Sequence, residues 1–136
     1  MRGKGCKLDE IELRVKKAEK LLQDGKKEFE VGLYERCCST SYYSMFHAAK
    51  AMILCLGRDS KTHRGTIYLI WENKEELKLS ESDCSKLSRA FDLREESDHG
   101  IFREISKDLA EEILRDAEYF IRKARNVIES RKRLKS

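Results

Sequence analysis

Apolar residues recur at intervals of three and four through most of the chain. Nowhere do they alternate with the period of two expected of a half-buried strand. The densest stretch runs from Leu33 to Gly57. Leu33, Cys37, Ser41, Ser44, Ala48, Ala51 and Cys55 form one stripe on a helical wheel, and Tyr34, Cys38, Tyr42, Met45, Ala49, Ile53 and Leu56 form a second. A helix apolar on two sides needs neighbours on two sides, so this one is expected at the centre of a bundle. Its small residues allow partner helices to approach closely, and Gly57 is the expected stop.

The remaining helices are expected around it. Ile11, Val15, Ala18, Leu22, Gly25 and Phe29 mark a packing seam on a first helix, Leu8 to Val31, and Gly25 either permits a close crossing or splits that helix. Gly32 supplies a tight turn that makes the first two helices antiparallel neighbours. Ser60 or Thr62 can cap a short third helix from His63 to near Asn73, with Ile67, Ile70 and Trp71 inward. The stretch KEELKLSES that follows reads as a loop with room for one extra turn. Ser80 or Ser82 caps a fourth helix that carries Cys84, Leu87, Phe91, Arg94 and Asp98 in line and stops at Gly100. A fifth runs from near Arg103 to near Arg131, with Ile105, Leu109, Ile113, Ala117, Phe120, Ile121, Ala124, Val127 and Ile128 inward, and residues 1–7 and 130–136 are expected to fray. The fold class is all-α: one domain over residues 1–136, an antiparallel up-and-down bundle of four to five helices.

Composition narrows the function classes. The 136 residues are 40% charged, with 29 basic and 25 acidic side chains and a net charge of +4. That balance is too mixed for a protein that coats DNA. No apolar run reaches the roughly 20 residues of a membrane span, and the N-terminus lacks a signal-peptide hydrophobic region, so a cytoplasmic protein is expected. Cysteines stand at 6, 37, 38, 55 and 84, an odd number without a CxxC pair. They read as reduced core thiols, not a disulfide frame. The absence of proline suits long helices.

Candidate chemistry is sparse. There is no glycine-rich phosphate loop, and the three histidines, 47, 63 and 99, fall on three elements without clustered ligands, so neither a cofactor nor a metal is expected. On the central helix a third stripe, Arg36, Thr40, Tyr43, His47, Lys50 and Leu54, could line a polar groove. The reading favoured from this stripe alone is the plainer one, with Tyr43 and His47 as half-buried edge groups and Lys50 as a solvated one. The strongest local signal is Arg94–Glu95–Glu96–Ser97–Asp98–His99. It reads structurally as an i,i+4 ion pair of Arg94 with Asp98, followed by a histidine favourable at a helix C-terminus. It reads chemically as a guanidinium and an imidazole that converge only where the helix loosens at His99–Gly100.

The run SYYSMFHAAKAMILCLG, then SKTHRG, then RAFDLREESDH, then a long helix containing AEYFI, resembles the HEPN family of small prokaryotic helical proteins over nearly the whole chain. The resemblance implies a dimeric bundle of four or five helices. In active relatives it implies a metal-independent ribonuclease site built on an Arg-x4–6-His motif, here Arg94 and His99. It also implies a toxin role beside a minimal nucleotidyltransferase antitoxin. Glu95 departs from the Asn, Asp or His common after the arginine in active members, and its carboxylate weakens attraction for RNA phosphate. Tyr43, His47, Lys50 and Asp98 are expected as accessory groups near an RNA path. The leading expectation is an RNA-cleaving homodimer acting as a toxin. The alternative is a non-catalytic dimer that binds a nucleotide or a nucleotidyltransferase.

Overall fold

The structure, a computed structural model, describes residues 4–100 and 104–135, with side chains for 8–100 and 104–133. These residues form six helices: α1 (Lys4–Glu30), α2 (Tyr34–Cys55), α3 (His63–Glu72), α4 (Lys74–Leu77), α5 (Glu81–Asp98) and α6 (Lys107–Lys135). The described residues contain no strand.

The central helix is α2, which packs against α1, α3, α5 and α6. Within it, Cys37, Cys38, Ser41, Tyr42, Ser44, Met45, Ala48, Ala49, Ala51, Ile53 and Cys55 are all buried, so both apolar stripes are covered. Fully burying side chains such as Tyr42, Met45 and Ile53 contributes roughly 1.5–3 kcal/mol each. Cross-helix bonds fix the directions. Arg14 reaches His47, Ala18 O accepts from Ser44 Oγ, and Leu33 N bonds Glu28 O, so numbers fall along α1 as they rise along α2. The surface ion pairs Lys26–Glu118, Glu19–Arg125 and Glu12–Lys132 set α6 antiparallel to α1 in the same way.

Local signals resolve as follows. α1 passes through Gly25 without a break, and a Cβ there would meet Leu114 Cδ1 at 3.4 Å, an ordinary contact. Of the two candidate caps for α3, Thr62 takes the role: its Oγ1 accepts from Gly65 N at 2.9 Å. Ser80 caps α5 in a full capping box, with Asp83 accepting from Ser80 N at 2.9 Å and Asp83 N donating to Ser80 Oγ at 3.0 Å. The extra turn foreseen after Asn73 exists as α4. At Gly65 the chain is crowded: a Cβ there would lie 2.0 Å from Ser60 Oγ and 2.8 Å from Thr62 Oγ1.

The last helix continues to Lys135, with Ile128 buried and Arg131 and Lys132 paired with Glu76 and Glu12. At the other end α1 begins at Lys4. One expectation is corrected. The last helix starts at Lys107, with 104–106 non-helical before it and Ser106 Oγ accepting from Leu109 N. Arg103, its expected start, lies outside the described residues. Cys37, Cys38 and Cys84 are buried free thiols, and Cys55 is buried with them. The side chain of Cys6 lies outside the described set.

Candidate functional site

The C-terminal end of α5, the polar stripe of α2 and the start of α3 meet on one side of the bundle. Arg94 enters from α5. Its Nε and Nη2 donate to Tyr43 Oη at 3.2 and 2.6 Å, and its Cζ lies 5.0 Å from the Tyr43 ring centroid. Its Nη1 bonds the Asp98 carboxylate one turn on. These bonds use three of the five guanidinium N–H donors, so the group is aimed while two donors remain. The expected i,i+4 pair of Arg94 and Asp98 is therefore present, and Tyr43 adds a long-range anchor to it.

His99 is the C-cap of α5. Its backbone N–H bonds Glu95 O at 3.0 Å, and its side chain is exposed. The chain turns away at Gly100, whose φ of 72° is the left-handed conformation that glycine tolerates. Because His99 N–H still makes the helical i,i−4 bond, the imidazole keeps its helical position, about 140° around the axis from Arg94, and the chain leaves the helix only at Gly100. No hydrogen bond joins them.

The other candidates on α2 lie farther along the helix. His47 Nδ1 and Arg14 Nη1 are 2.9 Å apart. An arginine can only donate, so Nδ1 accepts and the ring proton sits on Nε2. Burial, then the charges of Arg14 and Lys17, push the His47 pKa down to about 4. Lys50 is buried, against the expectation of a solvated group. Its Nζ lies 2.5 Å from Asp59 Oδ1 and also bonds Ser60 O, because the chain after α2 folds back over it. That lysine lowers the Asp59 carboxyl pKa. Neither His47 nor Lys50 touches Arg94, so both serve as neighbours of the site.

One imidazole to which the sequence assigned no role does join the cluster. His63, the first residue of α3, stacks on Phe46 with ring centroids 4.1 Å apart at 9°. Its Nδ1 is 2.5 Å from Tyr42 Oη, and its ring meets Tyr43 edge-on at 6.0 Å. Arg64, the next residue, bonds Glu95 at 2.9 Å, and Glu95 follows Arg94. The capping position of Thr62 marks where α3 begins, but nothing in the sequence says which face His63 takes.

A cleft of about 840 Å³ opens beside Arg94, lined among others by Tyr34, Arg36, Cys38, Leu93, Glu96 and Ile105. Cys38 is no nucleophile: burial, then the neighbouring Cys37, pushes its pKa up to about 12. Among the described residues no three His, Cys, Asp or Glu side chains come together as metal ligands, and no described helix is long and apolar enough to cross a membrane.

A family model, "HEPN domain", matches residues 11–127. An Archaeoglobus fulgidus protein named "UPF0332 protein" is 75% identical over 121 residues, covering 89% of this chain and 97% of the relative. A Methanocaldococcus jannaschii protein, named "Putative toxin MJ0142", is 30% identical over 93% of this chain and 86% of its own. A second from that organism, "Putative toxin MJ0605", is 29% identical over 83% of this chain and 84% of its own.

Proposed function

Because the chain belongs to the HEPN family, we propose that it is a metal-independent RNA endonuclease, active as a homodimer in the cytoplasm and serving as the toxin of a toxin–antitoxin pair. Two of its relatives carry toxin in their names, which supports the toxin part of this reading. The antitoxin would be a minimal nucleotidyltransferase. The observation that carries the proposal is the Arg94 guanidinium, held by Tyr43 and Asp98 one turn before an exposed histidine at a helix end.

In this reading Arg94 binds the scissile phosphate with its remaining N–H pair and stabilises the charge that develops on it. His99 transfers a proton at the ribose or at the leaving oxygen. Tyr43 and Asp98 hold Arg94 in place.

The test is cleavage of a structured RNA by purified dimer in EDTA, with Arg94→Ala and His99→Ala beside the wild type. Each variant should lose about 10²–10⁴-fold in rate while staying helical and dimeric. The double variant should be scarcely worse than either, since groups acting as one unit are not additive. Wild-type rates in His99→Ala would overturn the catalytic assignment. Cleavage that stops in EDTA and returns with magnesium would overturn metal independence.

The second reading, a dimer that binds a nucleotide or a nucleotidyltransferase without cleaving RNA, is favoured by Glu95. That carboxylate stands beside Arg94 and is held there by Arg64.

A further inference from the structure

We propose that His63 is the second proton-transfer group of this site, the general base that takes the proton from the attacking ribose hydroxyl. The proposal rests on the nuclease reading above.

Metal-independent cleavage of an RNA phosphodiester needs two proton transfers. The ribose O2′ loses its proton as the O2′–P bond forms. The O5′ leaving group gains one as the P–O5′ bond breaks. The products are a 2′,3′-cyclic phosphate and a free 5′-hydroxyl. His99 can serve only one of these steps in a given turnover. Its counterpart in a second protomer is one candidate for the other, and His63 is an imidazole already present in the same protomer.

Three observations place His63 there. The Tyr43 ring is shared: Arg94 Cζ lies 5.0 Å from its centroid, and the His63 ring meets it edge-on at 6.0 Å. The Arg64–Glu95 bond at 2.9 Å ties together the residues that follow His63 and Arg94. The imidazole is also pre-oriented, stacked at 4.1 Å on Phe46 with Nδ1 at 2.5 Å from Tyr42 Oη. A phosphate seated on Arg94 therefore lies beside a ring whose direction is already fixed.

The Tyr42 contact suits a base. With Nδ1–H donating to Tyr42 Oη, Nε2 carries the lone pair. When Nε2 takes the 2′-proton, Nδ1 keeps its own, so the bond to Tyr42 persists through the step. Burial, then the Arg94 charge, holds the His63 pKa below its ordinary value, which keeps the ring neutral and able to accept at neutral pH. His99 then protonates O5′, and the two imidazoles exchange their protons with water before the next turnover.

The experiment uses His63→Asn, whose side-chain amide can keep the bond to Tyr42 while Nε2 is removed. His63→Gln serves as the second variant should Asn unfold the chain. Cleavage is measured on an oligoribonucleotide spanning the wild-type cut site, and on the same oligonucleotide with sulfur in place of the scissile O5′. A thiolate leaves without a proton. His63→Asn should slow the oxygen substrate by about 10²–10⁴-fold and stay slow on the sulfur one, whereas His99→Ala should regain most of its rate on sulfur. Wild-type rates in a folded His63→Asn dimer would overturn the proposal and leave the nuclease reading intact. Rescue of His63→Asn by sulfur would overturn the base assignment. A wild-type dimer that cuts neither substrate would overturn both readings.

Discussion

Tyr43 and Arg94, 51 residues apart, share a single oxygen: two guanidinium N–H groups converge on Tyr43 Oη at 2.6 and 3.2 Å. The phenol accepts both bonds, so its own proton is free to point elsewhere. Tyr43→Phe keeps the ring under the guanidinium and deletes the acceptor. A hydrogen bond to a charged group contributes about 1.5–3 kcal/mol, and the partial exposure of the Arg94 side chain, 26%, brings the loss below that range. Thermal unfolding should register about 1 kcal/mol of destabilisation, and RNA cleavage should fall about tenfold as Arg94 loses its aim. Unchanged unfolding in Tyr43→Phe would mean that Arg94 rests on Asp98 alone.

His47 couples stability to acid. An imidazole whose folded-state pKa is depressed is protonated sooner in the unfolded chain. Its contribution is therefore fully present above the ordinary 6.5, is lost as pH falls towards about 4, and is level below that. The interval corresponds to at most about 3 kcal/mol, and solvent at the half-buried ring cuts the measurable part to about 1–2 kcal/mol. Denaturant unfolding of wild type and His47→Gln at pH 7 and pH 5 checks this. The drop in stability between the two pH values should be smaller in the variant, because the remaining titrating groups are common to both.

Lys50 and Asp59 should respond unequally. The Lys50 side chain is 9% exposed and that of Asp59 58%. Lys50→Met keeps the buried stem but leaves Ser60 O and Asp59 without their cation, at a cost of about 1–2 kcal/mol. Asp59→Asn gives up only an exposed carboxylate and should cost under about 1 kcal/mol. Paired thermal melts rank the two. A larger loss in Asp59→Asn would show that the carboxylate, and not the buried ammonium, holds the loop.

Light scattering at micromolar protein and physiological salt should give the mass of a homodimer. The motive is that each protomer carries one Arg94 and one His99, so a two-fold axis near the end of α5 would bring two pairs into one cleft. Leu87 and Phe91, in line with Arg94, are buried in the protomer's own core and take no part. A monomer under these conditions would remove the shared-cleft arrangement.

The helices were legible in the sequence because burial on two sides leaves two apolar stripes on α2 and one on each partner. The Arg94–Asp98 bond was legible because it spans one helical turn. What could not be read is what joins distant segments. Tyr43 and Arg94 meet through the packing of α5 on α2, a relation with no local period. Lys50 looked solvated because lysine ordinarily is, and its burial depends on the chain at Asp59 and Ser60 returning over it. Ser60 and Thr62 were equivalent as caps by residue type. Only the position of Gly65 N beneath Thr62 Oγ1 separates them. His63 stood in the SKTHRG run as the start of a helix, but without a role, since a residue at the first position of a helix has no stripe to place its side chain.

The crowding at Gly65 bears on how this protein can vary. A Cβ at Gly65 would meet the hydroxyls of Ser60 and Thr62, so a side chain there has first to turn Ser60 aside and disturb the cap of α3, the helix that His63 begins. A substitution at a residue with no chemistry of its own would in this way reach the helix start that carries His63.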